Sequence, residues 1–213
     1  MNRALLLVGL AVLAIAGAGA ITYAANHAFA STESDTGTVR ESVRRVVVDV
    51  DAGDVKLVAG GERVQVHRRS RYALRAPKVV QHVRDGVLTL RGDCVAVGPL
   101  HCRTDFTVGL PRGVAAEVHT GVGDVAAAAL DVPEVRVTTR VGDVGLDLAR
   151  PAAHVDAHSD VGDVDVAVPA GTYAVRAGAD VGDRTVGGLV QDDRAARAIR
   201  AGADLGDVTV RAR

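Results

Sequence analysis

The tripeptide Gly-Asp-Val recurs along this chain and constrains its fold more than any other feature. Copies begin at Gly53, Gly123, Gly142, Gly162 and Gly206, and a Gly-Asp-Arg variant begins at Gly182. From Gly123 onward the successive spacings are 19, 20, 20 and 24 residues. Apolar and polar residues alternate around each copy, which is typical of β-strands. A period of this size predicts an all-β fold, namely a β-solenoid whose rungs of about 20 residues stack on one another.

Alignment of the repeats places similar side chains in the same columns, which predict the inward face of the rungs. Three aliphatic columns are Ala116, Val135, Val155, Val175 and Ile199; Val122, Val141, Val161, Val181 and Leu205; and Ala127, Leu146, Val166, Val186 and Val210. Arg184 interrupts a fourth column, which otherwise holds Val125, Val144, Val164 and Val208. Because a buried unpaired charge is costly, the stack has to open at Arg184. The last repeat also carries four extra residues within the polar stretch 191–200, which we expect either to bulge outward or to form a short helical turn.

The first thirty residues indicate a membrane signal. Arg3 precedes an uncharged, mostly apolar run at residues 4–25, close to the length of about 20 residues that a helix needs to span a bilayer. Residues 28–30, Ala-Phe-Ala, fit a signal-peptidase site, so residues 1–30 are either a retained anchor or a signal peptide cleaved after Ala30. The length of the run favours the anchor. We therefore predict a single-pass cell-membrane protein, with its N-terminus inside and its solenoid extracytoplasmic, whereas cleavage would give a secreted protein.

The remaining chain divides by composition into a tether and one domain. Residues 31–43 are polar and charged, as expected for a short mobile tether. Residues 44–213 form the predicted solenoid domain, with the regular Gly-Asp rungs confined to residues 116–213.

The chain has two cysteines, Cys94 and Cys102, with a Gly98-Pro99 turn signal between them. An even pair this close, in an oxidising compartment, predicts a disulfide across a hairpin or tight loop. Closing so short a loop would contribute about 2–3 kcal/mol in the chain-entropy model. His101 adjoins Cys102, but two thiolates and one imidazole do not complete a zinc ligand set.

Charge and motif content exclude several functional classes. The formal net charge of −1 lacks the basic excess of a nucleic-acid-binding protein, so no nucleic-acid partner is predicted. The sequence contains no GxSxG, HExxH, Walker or dinucleotide-binding pattern. We therefore assign no catalytic residue and no cofactor, and we predict that the protein is not an enzyme.

A row of aspartates accompanies the repeat. Equivalent turn positions hold Asp124, Asp143, Asp163, Asp183 and Asp207, and Asp160, Asp180 and Asp204 each lie three residues before one of them. One interpretation is a row of Ca²⁺ sites. Its ligand candidates are Asp143, Asp160, Asp163, Asp180 and Asp183. The other interpretation is that each aspartate accepts hydrogen bonds from backbone N–H groups of its own turn; we favour it because the nine-residue glycine-rich calcium repeat is absent.

Two histidines, His154 and His158, have an even spacing that could place both on one face of a strand. Asp156 and Asp160 would then lie beside them, as in a metal site. We favour the alternative, in which both histidines are ordinary solvent-exposed strand residues.

Several phrases of the sequence resemble the bacterial DUF4097-type "putative adhesin" family over residues 44–213. They are the opening strand around Ala52-Gly53-Asp54-Val55, the strand Gly86-Val87-Leu88-Thr89-Leu90, the phrase Val108-Gly109-Leu110-Pro111-Arg112-Gly113 leading to Thr120-Gly121-Val122-Gly123-Asp124-Val125, and the Gly-Asp rungs. The resemblance implies a membrane-anchored β-solenoid that is adhesin-like or associated with envelope stress, and it brings no catalytic residue set.

These features predict a non-catalytic, extracytoplasmic binding or structural module of the bacterial cell envelope, whose partner is an envelope protein or polymer. One alternative is a membrane-anchored sensor or regulator of an envelope stress system. The other is a calcium-dependent β-helix enzyme that acts on polysaccharides.

Overall fold

The computed structural model describes residues 30–94 and 101–213, and this part of the chain consists of β-strands and their connections. The strands are β1 (Ala30–Thr38), β2 (Arg45–Ala52), β3 (Val55–Ala59), β4 (Gln65–Ala73), β5 (Lys78–Arg84), β6 (Val87–Asp93), β7 (Cys102–Leu110), β8 (Ala115–Val122), β9 (Val125–Leu130), β10 (Glu134–Val141), β11 (Val144–Leu148), β12 (His154–Val161), β13 (Val164–Val168), β14 (Thr172–Val181), β15 (Arg184–Gly187), β16 (Val190–Gln191), β17 (Ala198–Leu205) and β18 (Val208–Ala212). The all-β class predicted from the repeat is thus confirmed.

The strands form two nine-stranded sheets. Sheet 1 has the order β1-β4-β7-β3-β9-β11-β13-β18-β15, and sheet 2 has the order β16-β14-β17-β12-β10-β8-β2-β6-β5. Pairing is parallel through most of both sheets. It is antiparallel where β4 lies between β1 and β7, and where β5 pairs with β6.

Alternating side chains explain how the two sheets share one core. In β10, Val135 and Val137 are buried while Arg136 is exposed, as expected when one face of a strand meets the core. The buried residues of both sheets form a single aliphatic cluster. Phe106 and Tyr173 are buried in it as well. Near the β14 edge the hydroxyl of Tyr173 donates a hydrogen bond to the carbonyl oxygen of Pro169 (2.9 Å), and Arg197 stacks on its ring.

The prediction of a β-solenoid is wrong, because the strands form two mixed sheets whose neighbours do not follow the order of the chain. One end of each sheet is antiparallel. Near the other end, β17 inserts between β12 and β14, and β18 inserts between β13 and β15. The repeat makes its copies equivalent in shape, but nothing in that equivalence fixes which copy lies beside which.

The inserted strands explain the position of Arg184. Because β18 pairs with β13, β15 becomes the edge strand of sheet 1 and Arg184 is exposed. Val208, which belongs to the same column of the repeat as Arg184, lies in the interior of sheet 1 and is 0% exposed.

The predicted single-pass membrane localisation, and with it attachment to a membrane through an N-terminal helix, also requires correction. Within the residues that the structure describes, no helix is long and apolar enough to cross a membrane. The run at residues 4–25, on which that prediction was based, lies outside the described residues. Residues 31–38 of the predicted tether belong to β1, which pairs with β4.

The predicted disulfide between Cys94 and Cys102 is confirmed. Cys94 follows β6 of sheet 2, and Cys102 begins β7 of sheet 1. The bond therefore links the ends of two strands that belong to different sheets, rather than the two arms of one hairpin.

Candidate functional site

The Gly-Asp turns carry the chain from sheet 2 to sheet 1, and their glycines cannot be replaced without strain. Gly142 and Gly162 have φ angles of 144° and 145°, a region that side-chain-bearing residues rarely adopt. A Cβ atom on Gly162 would also lie 2.2 Å from the carbonyl oxygen of Gly142 in the neighbouring turn. The turns stack so closely that only glycine fits.

The turn aspartates form a hydrogen-bonded ladder along these stacked turns. Asp124 Oδ1 accepts from the backbone N–H of Asp143 (2.9 Å), and Asp143 Oδ1 accepts from that of Asp163 (2.8 Å). The series continues through Asp207 to Asp183. Each bond joins neighbouring turns, whereas the sequence interpretation that we favoured placed it within one turn. Each carboxylate thus stabilises the neighbouring turn in the stack by accepting a hydrogen bond from its backbone N–H.

The structure separates the five calcium candidates into two places. Asp143, Asp163 and Asp183 belong to the turn ladder, while Asp160 and Asp180 lie on β12 and β14 of sheet 2. Calcium binding by these residues stays a prediction.

One of the columns predicted to face inward is exposed. The apolar ridge, as we call it, consists of Val122, Val141, Val161, Leu205 and Val181, in their order across sheet 2. Their side chains are 54%, 46%, 43%, 50% and 62% exposed. The prediction failed because each ridge residue directly precedes a Gly-Asp turn, where the chain leaves the sheet and the alternation of inward and outward side chains ends.

Negative charge flanks the apolar ridge on both sides. The turn aspartates, two residues beyond each ridge position, are exposed. On the other side, Asp160, Asp204 and Asp180 immediately precede the ridge residues of β12, β17 and β14. A contiguous line of aliphatic side chains bordered by polar groups is typical of an interaction surface.

His158, Asp160 and Asp204 form a cluster beside the ridge. The His158 Nε2 atom lies 3.3 Å from Asp160 Oδ1 and 3.5 Å from Asp204 Oδ1. Sequence reasoning had placed His154, Asp156 and Asp160 beside His158, and it did not bring Asp204 to it. Asp204 reaches this place because β17 inserts next to β12, and in the sequence the longer spacing before Gly206 is a trace of that insertion.

A second charged network lies where β3, β4 and β7 meet. Asp105 Oδ1 accepts hydrogen bonds from the backbone N–H of Asp54 and from Arg103 Nε, both at 3.0 Å. Arg71 donates to Asp105 Oδ2 at 3.0 Å. Burial by itself raises the pKa of the Asp105 carboxyl, but the Asp54 N–H and the two guanidinium groups lower it, and the pKa lies below its ordinary value.

This network predicts a specific loss of stability in acid. Because the pKa of Asp105 is lower in the folded protein, its contribution is present above the ordinary carboxyl pKa and is lost as the pH falls through the folded value. We expect Asp105→Asn to reduce the free energy of unfolding at about pH 6. Between about pH 6 and about pH 3, the free energy of unfolding should fall less for Asp105→Asn than for the native protein. Urea denaturation at both pH values measures this. Glu41→Gln, at an exposed position with no ion pair among the described residues, is the control, and an equal acid loss in native protein and Asp105→Asn would contradict the prediction.

Structural comparison aligns this chain with solved structures of other proteins. A protein of Clostridium sporogenes described as a "putative cell adhesion protein" aligns over 86% of this chain and 100% of its own, with a TM-score of 0.64 and 15% identity. Two proteins described as "putative adhesin", from Bacteroides fragilis and Parabacteroides distasonis, align over 86% of this chain and 97% of their own. Their identities are 16% and 12%, and their TM-scores 0.39 and 0.41.

The similarity to the Clostridium sporogenes protein shows a shared fold. No protein-family model matches the sequence, and no curated protein matches it.

Proposed function

We propose that this protein is a non-catalytic, adhesin-like binding module that acts outside the cytoplasm and holds a partner protein along the apolar ridge. The ridge is the observation that carries the proposal. Five aliphatic side chains, each between 43% and 62% exposed, lie in register on five neighbouring strands of sheet 2. Exposed apolar side chains that form a contiguous line favour a contact surface over scattered, incidental exposure.

The charges beside the ridge favour a partner with basic residues around an apolar segment. Asp143 and Asp163 border the ridge on one side, and Asp160 and Asp204 border it on the other. Complementary charge of this kind increases association rates and selects among partners more than it adds affinity. We therefore expect binding to persist at high salt but to form more slowly.

Two further observations support an adhesin-like role outside the cytoplasm. The Cys94–Cys102 disulfide is typical of proteins in oxidising compartments. The fold is shared with a protein that is itself described as a "putative cell adhesion protein". Both fit a protein that presents a rigid β surface to an external partner, in the cell envelope or beyond it.

The test replaces ridge valines by threonine, which keeps their shape and their preference for strands. Beads coated with the purified full-length protein are applied to monolayers of bacterial and epithelial cells, and retention after washing is counted. We expect the native protein to hold beads on at least one cell type. The triple variant Val122→Thr, Val141→Thr, Val161→Thr should lose most of that retention, because three apolar contacts of about 1 kcal/mol each are weakened and the affinity falls on the order of 100-fold.

Val190→Thr is the matched control, because Val190 is also exposed (63%) but lies on β16, which pairs with the opposite end of β14 from the ridge. The control should retain beads as the native protein does. Equal retention by the triple variant and the native protein would exclude the ridge as the binding surface. Retention on no cell type would contradict the adhesin-like function itself.

A further inference from the structure

The geometry points to a divalent transition-metal site of the zinc type on the outer face of sheet 2, with His158, Asp160 and Asp204 as its ligands. His158 and Asp160 are two residues apart on β12 and so share one face of the strand. Asp204 lies on β17, which pairs with β12 in parallel register. Asp160 and Asp204 also belong to the acidic border of the apolar ridge, but the inference does not rest on the partner proposed for the ridge.

The distances between the ligand atoms fit a small ion. His158 Nε2 lies 3.3 Å from Asp160 Oδ1 and 3.5 Å from Asp204 Oδ1, and all three atoms lie within 4.8 Å of one another. Two ligands bound at about 2.0–2.1 Å in a tetrahedral zinc site are separated by about 3.3–3.4 Å. Calcium, in contrast, takes 6–8 oxygen ligands at longer distances of about 2.3–2.6 Å, and an imidazole does not suit it.

A glycine makes room for the imidazole. A Cβ atom on Gly202, which pairs with His158 across β12 and β17, would lie 3.0 Å from His158 Nδ1. The ring thus leans over a position without a side chain, and its Nε2 atom reaches the carboxylates of both strands.

Among the described residues, no lysine or arginine balances the negative charge of the two carboxylates in the cluster. In residues 30–94 and 101–213, neither Asp160 nor Asp204 forms an ion pair with lysine or arginine. The guanidinium of Arg140, on the neighbouring strand β10, lies over Gly121 of β8, on the other side of β10 from β12. A bound cation would supply the missing charge.

The site is open, so a fourth ligand can come from solvent or from another molecule. The side chains of His158 and Asp204 are 38% and 58% exposed. Three protein ligands with one free position is the arrangement of zinc sites that exchange their fourth ligand. Both cysteines are held in the disulfide, so no thiolate competes for the ion.

The test measures binding of Zn²⁺ alone to tag-free, full-length protein under non-reducing conditions, by calorimetry and by competition with a chromogenic chelator. We expect one ion per chain, and little binding of Ca²⁺ in parallel titrations. Substitution of Co²⁺ should give the strong visible absorption of a four-coordinate ion. His158→Gln, Asp160→Asn and Asp204→Asn should each weaken Zn²⁺ binding by 10-fold or more, because the loss of an outer-shell partner alone costs about 10–100-fold in metal affinity.

Two further variants separate a metal site from general surface attraction. Gly202→Ala leaves every ligand in place but crowds the imidazole, and we expect binding on the order of 10-fold weaker. His154→Gln with Asp156→Asn removes the same residue types at the same spacing on the same strand, and should bind Zn²⁺ as the native protein does. Circular dichroism of every variant verifies the fold.

Three results would overturn the inference. They are the absence of saturable Zn²⁺ binding, which would leave the cluster as an ion pair only; binding that the His158 and Asp204 variants do not weaken; and tighter binding of Ca²⁺ than of Zn²⁺. None of them bears on the ridge, whose test uses no metal.

Discussion

Alanine in place of Gly162 is expected to lower the free energy of unfolding by about 4 kcal/mol. Gly162 has a φ of 145°, and forcing a side-chain-bearing residue into such a region costs about 1–3 kcal/mol. The new Cβ would in addition lie 2.2 Å from the Gly142 carbonyl oxygen, and relieving an overlap with backbone costs about 1–3 kcal/mol more. Movement of the turn would also break the hydrogen bond from the Asp163 N–H to Asp143 Oδ1. Chemical denaturation followed by circular dichroism measures the loss.

Gly145→Ala is the matched control. Gly145 lies in β11, shortly after one of the same turns, yet no atom lies within 4 Å of a Cβ built there. Alanine loses less backbone entropy than glycine on folding, so this change should be neutral or stabilise by about 0.5–1 kcal/mol. A Gly162→Ala protein as stable as Gly145→Ala would mean that the turns are not stacked as described.

The turn is the part of the fold that the sequence predicted best, because its causes are local. Gly-Asp at each copy of the repeat marks a position that needs positive φ. Alignment of the copies correctly predicted the register across sheet 2, where Val135 pairs with Val155. It also brought the turn aspartates into one row, although their bonds run between turns.

The exposure of the apolar ridge could not be predicted from alternation alone. Val141 follows Val135, Val137 and Thr139 at the same two-residue interval, and those three side chains are buried. The interval predicts an inward Val141 as long as the strand continues straight. At Gly142 the chain turns towards the other sheet, so the side chain just before the turn emerges at the edge of the layer, where it is 46% exposed.

The order of the strands depends on contacts between distant parts of the chain, which no local pattern encodes. Two irregularities pointed to it, namely Arg184 in an otherwise aliphatic column and the longer spacing before Gly206. The longer connection includes β16 and carries the chain back past the previous repeat. The strands of the last repeat, β17 and β18, therefore lie between the strands of the two repeats before it. The candidate metal cluster could not be predicted for the same reason. Stacking in chain order would have placed Asp180 beside Asp160, whereas the insertion of β17 places Asp204 there.

We expect the second large effect from Val208→Arg, a change that tests the strand order directly. Val208 is 0% exposed and pairs with Val164 on one side and Arg184 on the other. Arginine there would bury a charge with no partner, so we expect a loss of more than about 4 kcal/mol, or failure to fold. The mid-point of urea denaturation, or the yield of folded protein, measures the change.

Arg184→Val makes the reverse exchange in the same column and serves as the control. Because β15 is the edge strand and Arg184 is exposed, the change should alter stability by no more than about 0.5 kcal/mol. Stacking in chain order would give the opposite pair of results. Val208 would then lie in the outermost rung, where arginine is tolerated, and removal of the Arg184 charge from the interior would strongly stabilise the protein. A tolerated Val208→Arg together with a strongly stabilising Arg184→Val would therefore refute the insertion of the last repeat.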